Sequence, residues 1–258
     1  MPHPLSAIGA LVRRADPDRF LTALFAPADR REAVFTLYAF NHELARAREA
    51  ASNPMLALIR LQWWREVVEG AVRAHEVAGP LAALLAAGVL DRTELAAVID
   101  AREAEVDTIE TLEEWRATLL AGPGGLAVAA GRLLGAPGSD ALRQLGAAYG
   151  AAGALRSVTA LASQGRCLLP VASLTEHGLS IETAIADPGG PALRPVLAAL
   201  AQHARPWLAA RRSVPREALA AALPAVLARR DLRRPGDSHP RGLGDRLAVT
   251  IAALSGRI

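Results

Sequence analysis

The sequence predicts a single all-α domain, and three features of the chain support this fold class. Apolar residues recur at three- and four-residue steps along most segments, which is the period of an amphipathic helix. No segment shows a sustained two-residue alternation rich in β-branched residues, so no sheet is expected. Glycine and proline separate the helical segments, and no internal repeat or change in composition marks a domain boundary. We therefore expect about ten helices in one domain that spans residues 1–258.

Helix starts are predicted from capping residues and prolines, in chain order. Asp16 caps a short helix that has Pro17 in its first turn. Pro27 precedes a long helix, Asn53 ends that helix and caps the next one, and Asp91 caps the helix after it. Later helices are predicted over approximately these ranges: 111–135, 139–164, 189–213, 215–231 and 242–256.

One predicted helix, over residues 145–162, carries three glycines on nearly the same face. Gly146, Gly150 and Gly153 are separated by four and three residues. A glycine inside a helix is less favourable than alanine by about 1 kcal/mol, so three of them indicate a need for space. Such a face lets another backbone or a ligand approach closely, and both interpretations stay open at this point.

Composition and charge limit the classes of partner. With 52% hydrophobic and 21% charged residues, the chain can bury a large core. The formal net charge is only +3 and no nucleic-acid motif is present, so no nucleic-acid partner is expected. The densest basic run, residues 228–241, is interrupted by acids, proline and glycine; a solvated loop is the preferred interpretation, and contact with anionic lipid head groups is the alternative.

The compartment is predicted from the apolar runs and from the N-terminal charge pattern. No apolar run approaches the ~18 residues that a membrane span needs. The N-terminal charge order is the reverse of that in a cleavable signal. We therefore expect a cytoplasmic protein that is at most peripheral to the inner membrane.

Neither a catalytic nucleophile nor a histidine-based metal site is predicted. The chain has one cysteine, Cys167, with no histidine nearby in sequence, and its six histidines are scattered without a four-residue pairing. Glu103 lies one turn from Asp107 and one turn from Asp100 on a predicted helix. The preferred interpretation of these three acids is a solvated face balanced by Arg102.

Four stretches of the sequence share an order and spacing with a known family: VFTLYAFNHELARARE (34–49), IRLQWWREVVE (59–69), VIDAREAEVD (98–107) and ALRSVTALASQGRCLLP (154–170). They resemble the squalene/phytoene synthase family of all-α, head-to-head prenyl synthases. The specific parts are the Arg60, Trp63, Trp64 and Arg65 cluster and the Gly165-Arg166 pair. The resemblance covers about residues 15–215 and leaves C-terminal helices at 215–258. It implies an isoprenoid (prenyl) synthase-type helical bundle around a central cavity, with residues 35–49 and 154–166 lining the same space.

Enzymes of that family condense two prenyl diphosphates, and magnesium held between two aspartate-bearing helices neutralises the leaving group. The resemblance places Ala45 and Arg46 at the paired aspartates of the first motif and Glu49 at its last acidic position. It places Ser157 and Leu161 at the aspartates of the second. Arg46 would add a positive charge where the metal belongs. No catalytic residue and no metal or other cofactor is therefore expected, and Mg²⁺ only if the acids are rearranged.

AFNHELA (39–45), the Ser-Asn-Pro that precedes IRLQWW and the acid-poor second motif are similar to an aspartate-lacking subgroup of the family. That subgroup includes an assembly factor of respiratory NADH dehydrogenase. The similarity implies a non-catalytic protein whose partners are an isoprenoid or lipid ligand, or membrane-associated subunits of a respiratory complex. Two alternatives remain: an active prenyl transferase with a rearranged metal site, and a purely structural helical module.

The candidate ligand-binding residues combine the surviving arginines with the polar and aromatic positions of the motifs. Arginine holds an anionic group by paired hydrogen bonds without a metal. Trp63 and Trp64 are adjacent and cannot share a helix face. One is expected in the core and the other lining or covering a groove, and core packing alone would also account for both. The candidates are Tyr38, Asn41, His42, Glu49, Arg60, Trp64, Arg156, Ser157 and Arg166.

Overall fold

The computed structural model describes residues 5–49 and 53–258, without the side chains of residues 48, 49 and 212. Within these ranges the chain forms fifteen α-helices and three short 3₁₀ segments, and no strand occurs in them. The first eight helices are α1 (Ala7–Ala15), α2 (Pro17–Ala23), α3 (Ala28–Glu49), α4 (Pro54–Glu69), α5 (Ala78–Ala86), α6 (Arg92–Ala104), α7 (Leu112–Leu133) and α8 (Asp140–Arg156). The others are α9 (Val158–Ala162), α10 (Val171–Thr175), α11 (Ile181–Ala186), α12 (Arg194–Ala204), α13 (Leu219–Ala222), α14 (Pro224–Asp231) and α15 (Leu243–Ser255).

The predicted helix starts are confirmed at the capping residues. The side chain of Asp16 accepts a hydrogen bond from the Arg19 amide at 2.9 Å, and that of Asn53 accepts one from the Leu56 amide at 3.0 Å. The side chain of Asp91 accepts hydrogen bonds from the amides of Thr93 and Glu94 in the first turn of α6. Each cap pairs an amide that has no partner inside its helix, which fixes where the helix begins.

The helices are more numerous than the ten expected, because α1, α5, α10 and α11 form where no helix was predicted and because several predicted helices are interrupted. The segment predicted over 139–164 divides into α8 and α9 at Ser157, whose φ of −86° and ψ of 0° leave the helical region. In the segments predicted over 189–213 and 215–231, prolines begin new short elements: Pro206 lies in the 3₁₀ segment Arg205–Ser213, and Pro224 begins α14. Proline has no amide hydrogen to continue the preceding ladder.

The core forms one continuous cluster of apolar side chains from Ile8 on α1 to Leu232 after α14, so the chain is a single all-α domain. Helices α7 and α8 pack along each other at its centre. Gly146 and Gly150 of α8 lie directly against Pro123 of α7, and a Cβ at either position would collide with it. A Cβ on Gly153 would meet no atom within 4 Å. Two of the three glycines therefore serve helix packing, and the third faces open space.

A second, smaller apolar cluster joins α15 to the rest of the fold. Leu223, Val226 and Leu227 pack there against Val249 and Ala252 of α15. Among the described residues, no helix is long and apolar enough to cross a membrane.

Candidate functional site

A cavity of about 300 Å³ lies between the helices of the bundle and is called here the central cavity. Leu44 and Ala45 of α3 line one side. Gly153 at the end of α8, Ser157 at the helix break and Leu161 of α9 line the other. The expectation that residues 35–49 and 154–166 contribute to the same space is confirmed. Arg19, Arg102, Glu105, Tyr149 and Arg166 complete the polar part of the lining.

Arg19 of α2 is held at the cavity wall between two tyrosine rings. Its guanidinium carbon lies 5.6 Å from the centre of the Tyr38 ring and 4.8 Å from that of Tyr149. Its Nη1 donates to Asp16 Oδ2 at 2.9 Å. Burial raises the pKa of Tyr38 to about 12, and the nearby positive charge of Arg19 opposes this only in part. Burial also raises the pKa of Tyr149 well above its usual range. Both rings therefore stay neutral and support the cation through their π faces.

Arg102 of α6 is fixed from two sides. Its Nη1 donates to both carboxylate oxygens of Glu105, at 3.0 and 2.8 Å, and its Nη2 donates to Asn41 Oδ1 at 3.2 Å. Asn41, a predicted site residue on α3, is buried and thus orients an arginine of the cavity. A guanidinium held in this way is preorganised to meet an anion.

The predicted partnership of Arg102 with Glu103 is wrong. Glu103 instead pairs with Arg65 of α4 at 2.9 Å, and Asp100 pairs with the same guanidinium at 2.6 Å. Successive residues of a helix point about 100° apart, so Arg102 and Glu103 face different neighbours. Arg102 is consequently a residue of the cavity wall and not of a solvated face.

Arg46 does not place its charge in the central cavity, contrary to the expectation from the sequence. Its side chain is about half exposed and its Nη1 lies 3.5 Å from Glu43 Oε1. Ala45 faces the cavity, and the turn of the helix between adjacent positions directs Arg46 away from it.

Arg156 lies outside the central cavity, although the neighbouring Ser157 lines it. Its Nη1 donates to the carbonyl oxygen of Asp237 at 2.8 Å and to Asp231 Oδ1 at 3.4 Å, and its Nη2 donates to the carbonyl oxygen of His239 at 2.9 Å. The guanidinium therefore fastens the loop before α15 and lines a separate groove of about 520 Å³, contrary to the expectation of a ligand contact in the central space.

Trp64 and Arg60 line a third space, a surface groove of about 330 Å³ beside α4. Trp64 is buried and packs edge-to-face on Phe40 at 5.5 Å, whereas Trp63 is half-buried along the groove. The predicted division of the two tryptophans between core and groove is confirmed. Arg60 is exposed and donates to the carbonyl oxygen of Ala47 at 3.4 Å.

Three further predicted residues contribute less to the cavity geometry. Tyr38 is buried behind Arg19 rather than in the cavity lining. His42 is half-buried on α3 and lies in neither the central cavity nor the groove beside α4. Glu49 ends α3, and its side chain lies outside what the structure describes. Of the nine candidates, Ser157 and Arg166 line the central cavity directly, and Asn41 acts on it through Arg102.

The described lining of the central cavity carries three guanidinium groups and one carboxylate, that of Glu105. Arg19, Tyr149 and Glu105 were not predicted from the sequence; the one local signal was the three-residue spacing of Asp16 and Arg19, which favours an ion pair on a helix. Histidine, cysteine, aspartate and glutamate form no group of three or more suited to a metal ion in the part of the chain that the structure describes. The chemistry of this lining favours an anion over a cation.

Comparison with known proteins places the chain in a family. The squalene/phytoene synthase family model matches residues 12–243. The "NADH dehydrogenase (ubiquinone) complex I, assembly factor 6" of Bos taurus is 28% identical over 226 residues, which span 84% of this chain and 68% of that protein. The Homo sapiens protein of the same name is 27% identical with the same coverage.

Two solved structures share the fold. A dehydrosqualene synthase in complex with ligand superimposes with a TM-score of 0.78 at 14% identity and covers 96% of this chain and 94% of its own. The squalene synthase HpnC from Alicyclobacillus acidocaldarius gives a TM-score of 0.68 at 18% identity, over 96% of this chain and 92% of its own. The predicted isoprenoid synthase-type bundle is thus confirmed. The match over most of the sequence identifies the chain as a member of the squalene/phytoene synthase family.

Proposed function

We propose that this chain is a non-catalytic member of its family that binds one anionic isoprenoid or lipid in the central cavity without magnesium. The observation that carries the proposal is the charge of the described lining, which holds the guanidinium groups of Arg19, Arg102 and Arg166 and one carboxylate, that of Glu105. Ala45, Ser157 and Leu161 line the same cavity at positions where the family resemblance puts aspartates. A guanidinium binds a phosphate directly, whereas magnesium needs carboxylate oxygens.

The size of the cavity also supports binding rather than condensation. Its volume of about 300 Å³ lies at the lower end of small-ligand cavities, which span roughly 300–1,000 Å³. A head-to-head condensation needs room for two prenyl diphosphates at once. One short ligand, with its anionic group on the arginines and its apolar part along Leu44, Leu119 and Leu161, fits this space better.

Calorimetry with farnesyl diphosphate tests the binding, with EDTA in one series and magnesium in the other. We expect saturable binding in EDTA that magnesium does not strengthen, and no release of free diphosphate. Binding that requires magnesium, with product formation, would instead support the alternative of an active prenyl transferase. A chain without affinity for farnesyl diphosphate or for long-chain fatty acid would support the purely structural alternative.

For the biological role we infer assembly of a membrane-associated respiratory complex. Support comes from the similarity to assembly factor 6 over 84% of the chain. Deletion of the gene in the source organism is expected to lower the amount of assembled respiratory NADH dehydrogenase on a native gel, while the unassembled subunits remain detectable. Unchanged levels of the assembled complex would refute this role, and re-expression of the wild-type chain is the control.

A further inference from the structure

Helix α15 presents a row of large apolar side chains to solvent. Leu243, Leu247, Ile251 and Leu254 are 78%, 59%, 63% and 80% exposed. Their spacing of four, four and three residues places them on one face of the helix. The described part of the chain has its longest row of exposed apolar side chains on this helix.

This row is not explained by the packing of the fold. The opposite face of α15 carries Val249 and Ala252, which are buried against α14 and the preceding residues. A helix packed on one side normally exposes polar residues on the other. The polar side chains of Arg246 and Thr250 lie along one edge of this row.

The region around α15 is also basic. Residues 229–257 contain seven arginines and three aspartates, a net charge of +4, which exceeds the +3 of the whole chain. The apolar row is thus accompanied by an excess of positive charge within the same segment of the chain.

Internal ion pairs already occupy the aspartates of this region. Asp231 accepts from Arg241 at 2.6 and 2.7 Å, and Asp245 accepts from Arg230 at 2.7 Å. Arg233 and Arg234 are exposed and line the groove that reaches Asp245 in the first turn of α15. The guanidinium groups thus lie next to the start of the apolar row.

We propose that α15 and the adjoining arginines form a docking surface for an anionic lipid bilayer. The helix lies flat on the bilayer, with the four apolar side chains between the lipid tails and the guanidinium groups on the phosphates. Its 13 residues reach about 20 Å, which is too short to cross a hydrocarbon core of ~30 Å. A bilayer is favoured over a protein partner because the row is wholly aliphatic and the surrounding charge has one dominant sign.

This inference goes beyond the ligand of the central cavity, because none of the residues that line the cavity lies on α15. Vesicle flotation tests it with the full chain. We expect the protein to float with vesicles of phosphatidylcholine containing 30% phosphatidylglycerol and to bind pure phosphatidylcholine at least tenfold more weakly. Raising the salt from 0.1 to 0.5 M is expected to weaken the binding several-fold.

Paired variants locate the surface. Leu247→Gln with Ile251→Gln is expected to weaken vesicle binding at least tenfold, and Arg233→Gln with Arg234→Gln to weaken it several-fold and reduce its salt dependence. The matched control is Met55→Gln with Ile59→Gln, which removes two exposed apolar side chains from α4 and should change binding less than twofold. Circular dichroism should show unchanged helix content, since all these side chains are exposed.

Two results of the flotation experiment would overturn the proposal: no flotation with anionic vesicles, or a loss of vesicle binding in the α4 control equal to that in the α15 variant. A third would be a wild-type dimer that the α15 substitutions convert to monomer without loss of vesicle binding. The last result would assign the row to a second copy of the chain. Farnesyl diphosphate binding by the α15 variant should equal that of wild type. A failure of docking is thereby distinguished from a failure of the cavity function.

Discussion

Arg102 combines three properties that a binding residue for an anion requires. It lines the central cavity, it is fixed by Glu105 and Asn41, and it comes from a helix that packs in the core. Replacing it by glutamine removes one positive charge and leaves the Glu105 carboxylate facing the ligand. Both changes are expected to weaken the binding of an anionic ligand.

We expect Arg102→Gln to weaken farnesyl diphosphate binding in EDTA about tenfold, which corresponds to ~1.4 kcal/mol. Glu105→Gln should have the opposite effect, because it removes the one carboxylate of the described lining. Arg156→Gln serves as the matched control, since that guanidinium lies outside the cavity. Equal losses for Arg102→Gln and Arg156→Gln, measured by calorimetry, would show that long-range charge and not the cavity geometry determines affinity.

The buried tyrosines predict a fall in stability at alkaline pH. The pKa of Tyr38 is about 12 in the folded chain, against about 10 in an unfolded chain. The stabilising effect of the neutral ring is complete below pH 10 and is lost as the pH rises towards 12. Two pH units correspond to ~3 kcal/mol. The chain contains no lysine, so no lysine titration overlaps this window.

Urea unfolding at pH 8 and pH 11 measures this effect. We expect Tyr38→Phe to lose less unfolding free energy than wild type between the two pH values. The comparison at pH 8 isolates any packing change, because the ring is neutral there in both proteins. Tyr149 contributes in the same direction and remains in the variant. An identical loss in both proteins would mean that Tyr38 does not carry the shift.

At the scale of a helix, Gly150 and Gly153 of α8 both line the central cavity but differ in the space beside them. Gly150 touches Pro123 of α7, so an added methyl group must displace the half-buried proline ring. Gly153 has open space beside it and lines the central cavity. The two positions are three residues apart on the same helix. Because their surroundings differ, replacing glycine by alanine is expected to change the stability of the fold in opposite directions.

Gly150→Ala is expected to lower the free energy of unfolding by about 1–3 kcal/mol, the usual effect of overpacking. Gly153→Ala is expected to raise it by up to ~1 kcal/mol, because alanine favours the helix and meets no neighbour. Urea denaturation of both variants at pH 7 decides the matter. A destabilised Gly153→Ala variant would indicate that the space beside this position is closed in solution.

The predictable part of this fold was the part controlled by local chemistry. Capping by Asp16, Asn53 and Asp91 depends on residues within three positions, so the sequence was sufficient to place those helix starts. The division of the 139–164 segment at Ser157 was not predicted, because neither glycine nor proline marks it. Ser157 makes no side-chain cap hydrogen bond to α9, so capping chemistry does not mark the break either.

The sequence was sufficient to predict which segments contribute to the candidate site, but less so to predict which of their side chains point into it. Ser157 and Arg166 reach the cavity as expected, but Arg46 and Arg156 point away from it, each beside a neighbour that faces inward. Arg19 and Glu105 come from segments outside the two motif helices that frame the cavity, and only the folded bundle brings them together. A motif match locates a helix in the sequence, but it does not establish which of two adjacent residues faces the cavity.

At the scale of the whole molecule, the family fold and the chemistry of its cavity depend on different residues. The bundle superimposes on a dehydrosqualene synthase with a TM-score of 0.78 at only 14% identity. Helix packing needs apolar side chains of suitable size, and many sequences supply them. The charge of the lining depends on a few positions, so it can change while the bundle persists.

Catalysis should therefore be absent while the fold is retained. Without carboxylates at positions 45, 157 and 161, the described lining lacks the oxygen ligands that hold magnesium on a diphosphate, and ionisation of the substrate stays slow. Each 1.36 kcal/mol of lost transition-state stabilisation lowers the rate tenfold. We expect labelled farnesyl or geranylgeranyl diphosphate with magnesium to give no squalene, phytoene or free diphosphate above a heat-killed control.

The converse experiment restores the acids. Ala45→Asp, Ser157→Asp and Leu161→Asp together place three carboxylates around the cavity, near Glu105, and are expected to create Mn²⁺ binding detectable by electron paramagnetic resonance before any turnover returns. Arg46→Asp is the matched control, because position 46 faces the surface beside Glu43 and should bind no metal. Product from the wild-type chain would refute the predicted absence of catalysis. Metal binding by the Arg46→Asp variant equal to that of the triple variant would show that the restored carboxylates do not act through the cavity.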